Sequence, residues 1–395
     1  MTAGLPVLRP RPPADVPSLA SAISAAADAL AGATGVTLVL NDPQRATRSD
    51  SVLGPLAPTL AGRRVRALIA TGSHHFPPAA RAAFEHPLRR LMPVEDIAWH
   101  DDGAADLADI GGWRGHPWLL DEAFALLAIG SCEMHYFAGI TGAHKTVTLG
   151  CAAHADIEAN HGGALSPDAA PGVLAGNPVH DGVAAMVRQL TARRPVTAVN
   201  LLQVGARLVG AAAGGPLDAL DALAEATRAA YSCPIDAPAD ALVLEVDGPL
   251  AGSFYQADKA VKNSEHAVRD GGTIVLCAAC PDGVGQDQFM DLLRRCRTYD
   301  AAAAEMARRG YRLGDHKAVK LRYLTDRRGV RVFVVGSAIA PADLSDLGFR
   351  AASTVAGALA AAGIDPAIDR VFRVADAGNT CVTAAWPVSR GCPRR

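Results

Sequence analysis

Val65-Arg66-Ala67-Leu68-Ile69-Ala70-Thr71-Gly72-Ser73-His74-His75 reads as an apolar strand that runs out into a polar, glycine-bearing turn. The same pattern recurs upstream in Val36-Thr37-Leu38-Val39-Leu40, which ends at Asn41-Asp42. Downstream it returns in Ile97-Ala98-Trp99 before His100-Asp101, and in Leu126 to Ile129 before Gly130-Ser131-Cys132. Ala-rich helical stretches separate these runs. Short β-branched runs alternating with helices predict βαβ units and mainly parallel sheets flanked by helices, an α/β fold. In such sheets ligands bind beyond the carboxyl ends of the strands, so the polar loops are expected to converge on one site.

A second series follows, with Ala241 to Val246, Thr273 to Cys277 and Val330 to Gly336 as apolar strands. A chain of 395 residues exceeds what one core usually organises, which predicts two α/β domains. Cys233-Pro234-Ile235-Asp236-Ala237-Pro238 is the most linker-like stretch, placing an N-terminal domain at 1–235 and a C-terminal domain at 236–395.

The charge balance, 38 Lys+Arg against 40 Asp+Glu for a net of -2, removes the electrostatic argument for nucleic acid or an anionic membrane as a partner. Half the residues are hydrophobic, and 38 Gly and 26 Pro fit a folded, loop-rich enzyme rather than a disordered chain. No segment is apolar for long enough to span a bilayer, and the Arg- and Pro-bearing N-terminus lacks the apolar core of a signal peptide. The eight dispersed cysteines therefore read as reduced thiols of a cytoplasmic protein. Cys277-Ala278-Ala279-Cys280 ends a predicted strand instead of opening a helix, which favours a structural role over a redox one. Neither GxGxxG nor GxxxxGK[ST] is present, so ordinary nicotinamide and P-loop chemistry lack support.

Twelve histidines remain to be explained. Met134-His135-Tyr136-Phe137-Ala138-Gly139-Ile140-Thr141-Gly142-Ala143-His144-Lys145, continuing through Gly150 to His161, is the densest segment. Glycines there allow close backbone approach, while His and Lys supply acid/base, nucleophilic or metal-binding atoms. A surface loop with helix-capping histidines is the plainer alternative. His74 and His75 follow a strand directly, which puts at least one imidazole over the sheet edge or makes the pair a cap and its solvent-facing neighbour. Asp42 and Arg45 offer a carboxylate and a guanidinium suited to ribose or phosphate, or an Asp-Pro turn with a structural ion pair. In Tyr255-Gln256-Ala257-Asp258-Lys259, Gln256 and Lys259 are three apart on a predicted helix, sharing a face that either meets a polar substrate or is simply solvated.

Taken together these segments resemble the nickel-dependent lactate racemase family, whose members carry a nickel-pincer nucleotide, a pyridinium mononucleotide with two thio-carbonyl arms on nickel. The family's Asp-x-Thr-Arg element is similar to Asp42-Pro43-Gln44-Arg45, its Ala-Thr-Gly-x-His to Ala70–His74, and its His-Phe-Phe-Ala-Gly-Phe-Ser-Gly-Gly-Arg-Lys to His135–Lys145. Ala159-Asn160-His161, Gly176-Asn177-Pro178-Val179 and Tyr255–Lys259 follow in the family's order. The resemblance implies a racemase or epimerase of a 2-hydroxy acid with its active site in an interdomain cleft. It implies His161 as the nickel ligand, Lys145 against a thio-carboxyl arm and covalently bonded there in some relatives, Arg45 on the phosphate, and Asp42 on the ribose or its neighbours. His74 and His135 would be paired acid/bases on opposite faces of the substrate while hydride passes to and from the pyridinium. Tyr255, Gln256 and Lys259 would bind the substrate.

The departures bear on the substrate. Where the family has a carboxylate-gripping arginine this chain has Pro43, which argues against lactate itself and toward a larger hydroxy acid, a polyol or a sugar derivative. His144 replaces an arginine and His316 stands where a pocket tryptophan is expected. Alternatives are a sugar or polyol epimerase using the same cofactor, or a carrier of it, although a carrier has no need of His74 and His135. Cofactor-biosynthesis enzymes would be the partners that supply the nickel nucleotide.

Overall fold

A computed structural model describes residues 4–285 and 288–384. The chain divides into two compact units, Pro12–Ala230 and a second formed by Met1–Arg11 with Tyr231–Arg395. Each is an α/β layer structure, and among the described residues no helix is long and apolar enough to cross a membrane.

The first unit is built on a six-stranded sheet in the order Arg207–Gly214, Val196–Val204, Ala125–Cys132, Gly35–Asn41, Arg64–Ala70, Asp96–Trp99. All neighbours are parallel except the antiparallel hairpin of Val196–Val204 with Arg207–Gly214 at one edge. Near-continuous burial along Gly35–Asn41 and Arg64–Ala70 follows from helices covering the sheet, the reason these strands read as unbroken apolar runs. Val36, Leu38, Leu40, Val65, Ala67 and Ile69 turn one set of side chains onto Ala22, Ala26, Leu53 and Leu56 of two covering helices. The chain moves outward from Gly35–Asn41 in one direction, then crosses back to add Ala125–Cys132 on its other side. Loops at that reversal splay apart and leave a crevice over the strand ends.

One contact fixes the crevice floor. A Cβ on Gly130 would lie 2.7 Å from the Gly142 carbonyl carbon and 2.8 Å from Ala143 Cα, all rigid backbone. Glycine is what lets the short helix Ala143–Thr146 sit directly on the strand. Gly130→Ala is expected to cost about 3 kcal/mol or more through overpacking. Urea denaturation reads this directly; a midpoint matching that of the parent would refute it.

The second unit carries another six-stranded sheet, ordered Val7–Leu8, Val371–Val374, Ala239–Glu245, Val268–Cys277, Arg331–Val335, Arg350–Ala352, parallel throughout. Ala241, Val243, Val275 and Phe333 pack there against Ala358 and Leu359 of the helix Val355–Ala361. The proline-bearing stretch at 233–238 is more ordered than a linker, since Ser232–Ile235 pairs in parallel with Cys381–Ala384. Cys277 ends its strand, and burial raises both the Cys277 and Cys280 thiols, which are unbridged. Cys392 lies outside the described residues.

Candidate active site

Over the carboxyl ends of Gly35–Asn41, Arg64–Ala70 and Ala125–Cys132 lies a cavity of about 620 Å³, part of it continuous with solvent. Its walls bring together Asp42, Arg45, His74, Lys145 and His161.

Each side chain arrives for a local reason. Asp42 caps a single 3₁₀ turn, Pro43–Arg45, by accepting the Gln44 N–H at 2.8 Å, and Pro43 suits the first position of that turn because it needs no donor. The turn delivers Arg45 to the cavity. The other Asp42 oxygen meets His74 Nδ1 at 2.9 Å, so the carboxylate is 4 % exposed and spoken for twice within the protein. His74 reaches it from a tight turn in which Gly72, at φ +55°, donates to the Gly150 carbonyl at 2.9 Å. Lys145 projects from Ala143–Thr146, with Nζ 5.9 Å from the Phe137 ring centre. His161 ends the helix His154–His161. Burial pushes its imidazole down to about 3, helped by the neighbouring Lys145, Arg45 and His74, so the ring is neutral at ordinary pH.

His135 is placed differently from the other four. It sits in a two-residue hairpin with Gly139, is 7 % exposed, and is not one of the side chains lining the cavity. Its ring stacks on Tyr136 at 5.2 Å and meets Phe137 edge-on at 4.4 Å, and Phe137 in turn lies 5.1 Å from the His161 ring. Its Nδ1 accepts the Ala138 N–H at 3.2 Å. Tyr255, Gln256 and Lys259 belong to the second unit, in the helix Phe254–Ser264. There Lys317 Nζ donates to the Tyr255 carbonyl at 2.9 Å and lies 4.3 Å from its ring centre, while Lys259 Nζ donates to Asn379 Oδ1 at 3.4 Å. Burial raises the Tyr255 hydroxyl to about 12.

Both substituted histidines are buried. His144 packs 5.7 Å from the His180 ring, and burial lowers it to about 3, which keeps it uncharged. His316 is 2 % exposed and its Nδ1 lies 2.7 Å from the Tyr311 hydroxyl.

The cavity wall contains a polar chain that motif reading passed over. Thr146 Oγ1 donates to Asn41 Oδ1 at 2.6 Å, Asn41 Nδ2 to Thr47 Oγ1 at 2.7 Å, and Ser131 Oγ, 3.2 Å from Thr47, donates to Glu133 at 2.9 Å. This chain ties the Asp42–Arg45 turn to the segment that carries Lys145. Asn200, fully buried in the middle of an apolar strand, accepts the Ala143 N–H at 2.7 Å. An amide inside Val196–Val204 is the signal that could have found it, because an unpaired buried amide is costly.

An α/β chain with a basic, imidazole-bearing cavity at a strand reversal defines a ligand-binding enzyme class. The comparisons narrow it. Residues 18–172 match the sequence profile of the Lactate racemase N-terminal domain, and residues 236–378 that of the Lactate racemase C-terminal domain. The chain belongs to the lactate racemase family. It is 30% identical over 239 residues to lactate racemase of Lactiplantibacillus plantarum, covering 57% of this chain and 54% of that protein. To lactate racemase of Thermoanaerobacterium thermosaccharolyticum it is 28% identical over 281 residues, covering 66% and 64%. The matches thus span between about half and two thirds of these curated relatives. Its fold is similar to that of the lactate racemase apoprotein from T. thermosaccharolyticum (TM-score 0.82, 22% identity, 95% and 94% of the two chains). It is also similar to that of a protein from Thermotoga maritima (TM-score 0.72, 14% identity, 92% and 96%).

Proposed function

We propose that this protein is an isomerase, a racemase or epimerase of a 2-hydroxy acid that works with a nickel-pincer nucleotide held in the first unit's cavity. The observation that carries this reading is the meeting of Asp42, Arg45, His74, Lys145 and His161 in one cavity, from loops and helices far apart in sequence.

The donor set fits such a group. His161 is a neutral imidazole, the form that ligates a metal. Among the described residues no three His, Cys, Asp or Glu side chains are grouped to hold a metal, so a nickel ion on His161 needs its remaining donors from the bound molecule. Arg45 and Lys145 supply the cationic wall that a phosphate and acidic arms require. When bound, the nickel pyridinium nucleotide supplies a reversible hydride acceptor.

The chain's residues supply the rest. Arg45 anchors the phosphate, and Lys145 meets an acidic arm. His74, oriented through Nδ1 by Asp42, presents Nε2 to the substrate hydroxyl and holds its proton while the carbon centre is planar. The family resemblance assigns His135 as the second imidazole and Tyr255, Gln256 and Lys259 as substrate-binding residues. Pro43 brings no charge to the Asp42–Arg45 turn, which favours a substrate other than lactate, with a polyol or sugar as the alternative.

The test is to produce the protein together with the enzymes that build the nickel nucleotide. Nickel content is then measured, and single isomers of C2-deuterated 2-hydroxy acids and polyols are screened for isomer exchange. Near-stoichiometric nickel with exchange in one of the acids is expected. Absence of both would overturn the reading, and exchange confined to polyols would replace its substrate class.

A further inference from the structure

We infer that Gln203 is a positioning residue for Arg45: its side-chain amide clamps the backbone just after the Asp42–Arg45 turn and so fixes where that guanidinium stands in the cavity wall. The consequence for nucleotide binding rests on the reading above, whereas the clamp itself is a property of the protein alone.

The turn that delivers Arg45 ends in an unfavourable conformation. Ala46, the next residue, has φ +49° and ψ +28°, in the left-handed region. Among the described residues only Ala46, Cys280 and Asp376 enter positive φ without being glycine. There the Cβ of an L-residue crowds a carbonyl oxygen, and such a conformation persists only where its surroundings hold it. Ala46 is exposed, so burial of its methyl is not what holds it. Its own N–H meets the Pro43 carbonyl at 3.5 Å, too long for a strong closure of the turn.

Gln203 supplies the restraint. The Arg48 N–H donates to Gln203 Oε1 at 2.8 Å, and Gln203 Nε2 donates to the Ala46 carbonyl at 3.3 Å. A backbone N–H only donates and a carbonyl only accepts, so these partners fix which end of the amide is which. Gln203 is 7 % exposed near the end of the apolar strand Val196–Val204, where an amide without partners would be costly. The ladder to Arg207–Gly214 slips at that point: Leu202 faces Gly210 and Gln203 faces Leu208, leaving Val209 as the extra residue of a bulge. Bulges add local twist and re-aim side chains beside active sites. Arg48 Nη1 makes a further contact to the same hairpin, at the Ala206 carbonyl, 3.4 Å away.

Arg45 lines the cavity and Gln203 does not, so any effect of Gln203 on an anion passes through the backbone of residues 45–48. Without the clamp, Ala46 is free to relax to negative φ, which turns the Asp42–Arg45 segment relative to the loop that follows. A site that is competent for only a fraction of the time binds more weakly by that fraction.

Two measurements on the cofactor-free full chain test this. In Gln203→Leu, amide hydrogen exchange read by NMR should quicken by about tenfold at Arg45 and Arg48 and keep the parent rates along Gly35–Asn41. Unchanged exchange at Arg45 and Arg48 overturns the clamp. The second is calorimetric titration with nicotinic acid mononucleotide, a pyridinium mononucleotide with one carboxylate arm. Gln203→Leu should weaken binding by about tenfold in the parent, but by less than about twofold in an Arg45→Ala background, where the group it acts through is gone. Ala46→Gly, which accepts left-handed φ without strain, should restore most of the affinity lost in Gln203→Leu and change the parent little. General destabilisation from a lost buried amide would not be rescued at Ala46. Unchanged binding in Gln203→Leu, equal losses with and without Arg45, or no rescue by Ala46→Gly overturns the link to Arg45. If the parent binds no nucleotide, the cofactor reading fails and hydrogen exchange alone decides the clamp.

Discussion

His161→Ala is expected to yield a folded protein that no longer retains nickel. The imidazole ends the helix His154–His161 and faces the cavity shared with Arg45 and Lys145. Burial, with the neighbouring Lys145 and Arg45, pushes its imidazole well below the usual range, which favours the neutral form that binds a metal. Changing a group that merely orients a metal's ligand costs about 10–100-fold in affinity, so removal of the protein's own ligand should cost about 100-fold or more. The cationic wall remains in the variant, so the nucleotide could still associate weakly while its metal leaches. Metal analysis after gel filtration, beside the visible absorption band, measures the effect. Full nickel occupancy in the variant would remove His161 from the metal site.

The second large effect is catalytic. His74→Ala should retain nickel at the parent level but lose isomer exchange by about 10²–10⁴, the range for removing a positioned general base. Its place is fixed by the Asp42 carboxylate on one side and the Gly72 turn on the other. Besides His74, His161 is the one imidazole lining the cavity among the described residues, and it is the proposed metal ligand. Chiral chromatography of the reaction mixture against time gives the rate. Activity within a factor of a few of the parent would exclude His74 as the proton carrier.

Much of this site was legible in the sequence because the strands that build it are buried on both faces. Gly35–Asn41 and Arg64–Ala70 end within a residue or so of the apolar runs, so Asp42 and His74 could be located at strand ends from patterning alone. Ser131 and Cys132 look like loop from local composition, yet the strand continues through them. Their backbone pairs with Leu201 and Leu202, and a ladder of that kind is dictated by a neighbouring strand, not by local composition. The hairpin reaching Arg207–Gly214 left a weaker trace, since Ala211, Ala212 and Ala213 favour helix and only pairing with Val196–Val204 makes them a strand. The Thr146–Asn41–Thr47 chain and the Asn200 cap depend on residues far apart along the chain, so no motif spacing announces them.

The pairing of Val7 with Arg373 has a consequence for how the polypeptide matures. Pro12–Ala230 is continuous, so everything its sheet needs is made before the strands of the other unit from Ser232 onward. Domains that emerge first can fold as units. The edge strand at Val7–Leu8 must instead wait until Val371–Val374 is made, because that strand, its sheet neighbour among the described residues, lies far downstream in the chain. Val7–Leu8 is thus made well before it can find its place, and the sheet of the cavity-bearing unit can be complete while the other sheet still lacks Val371–Val374.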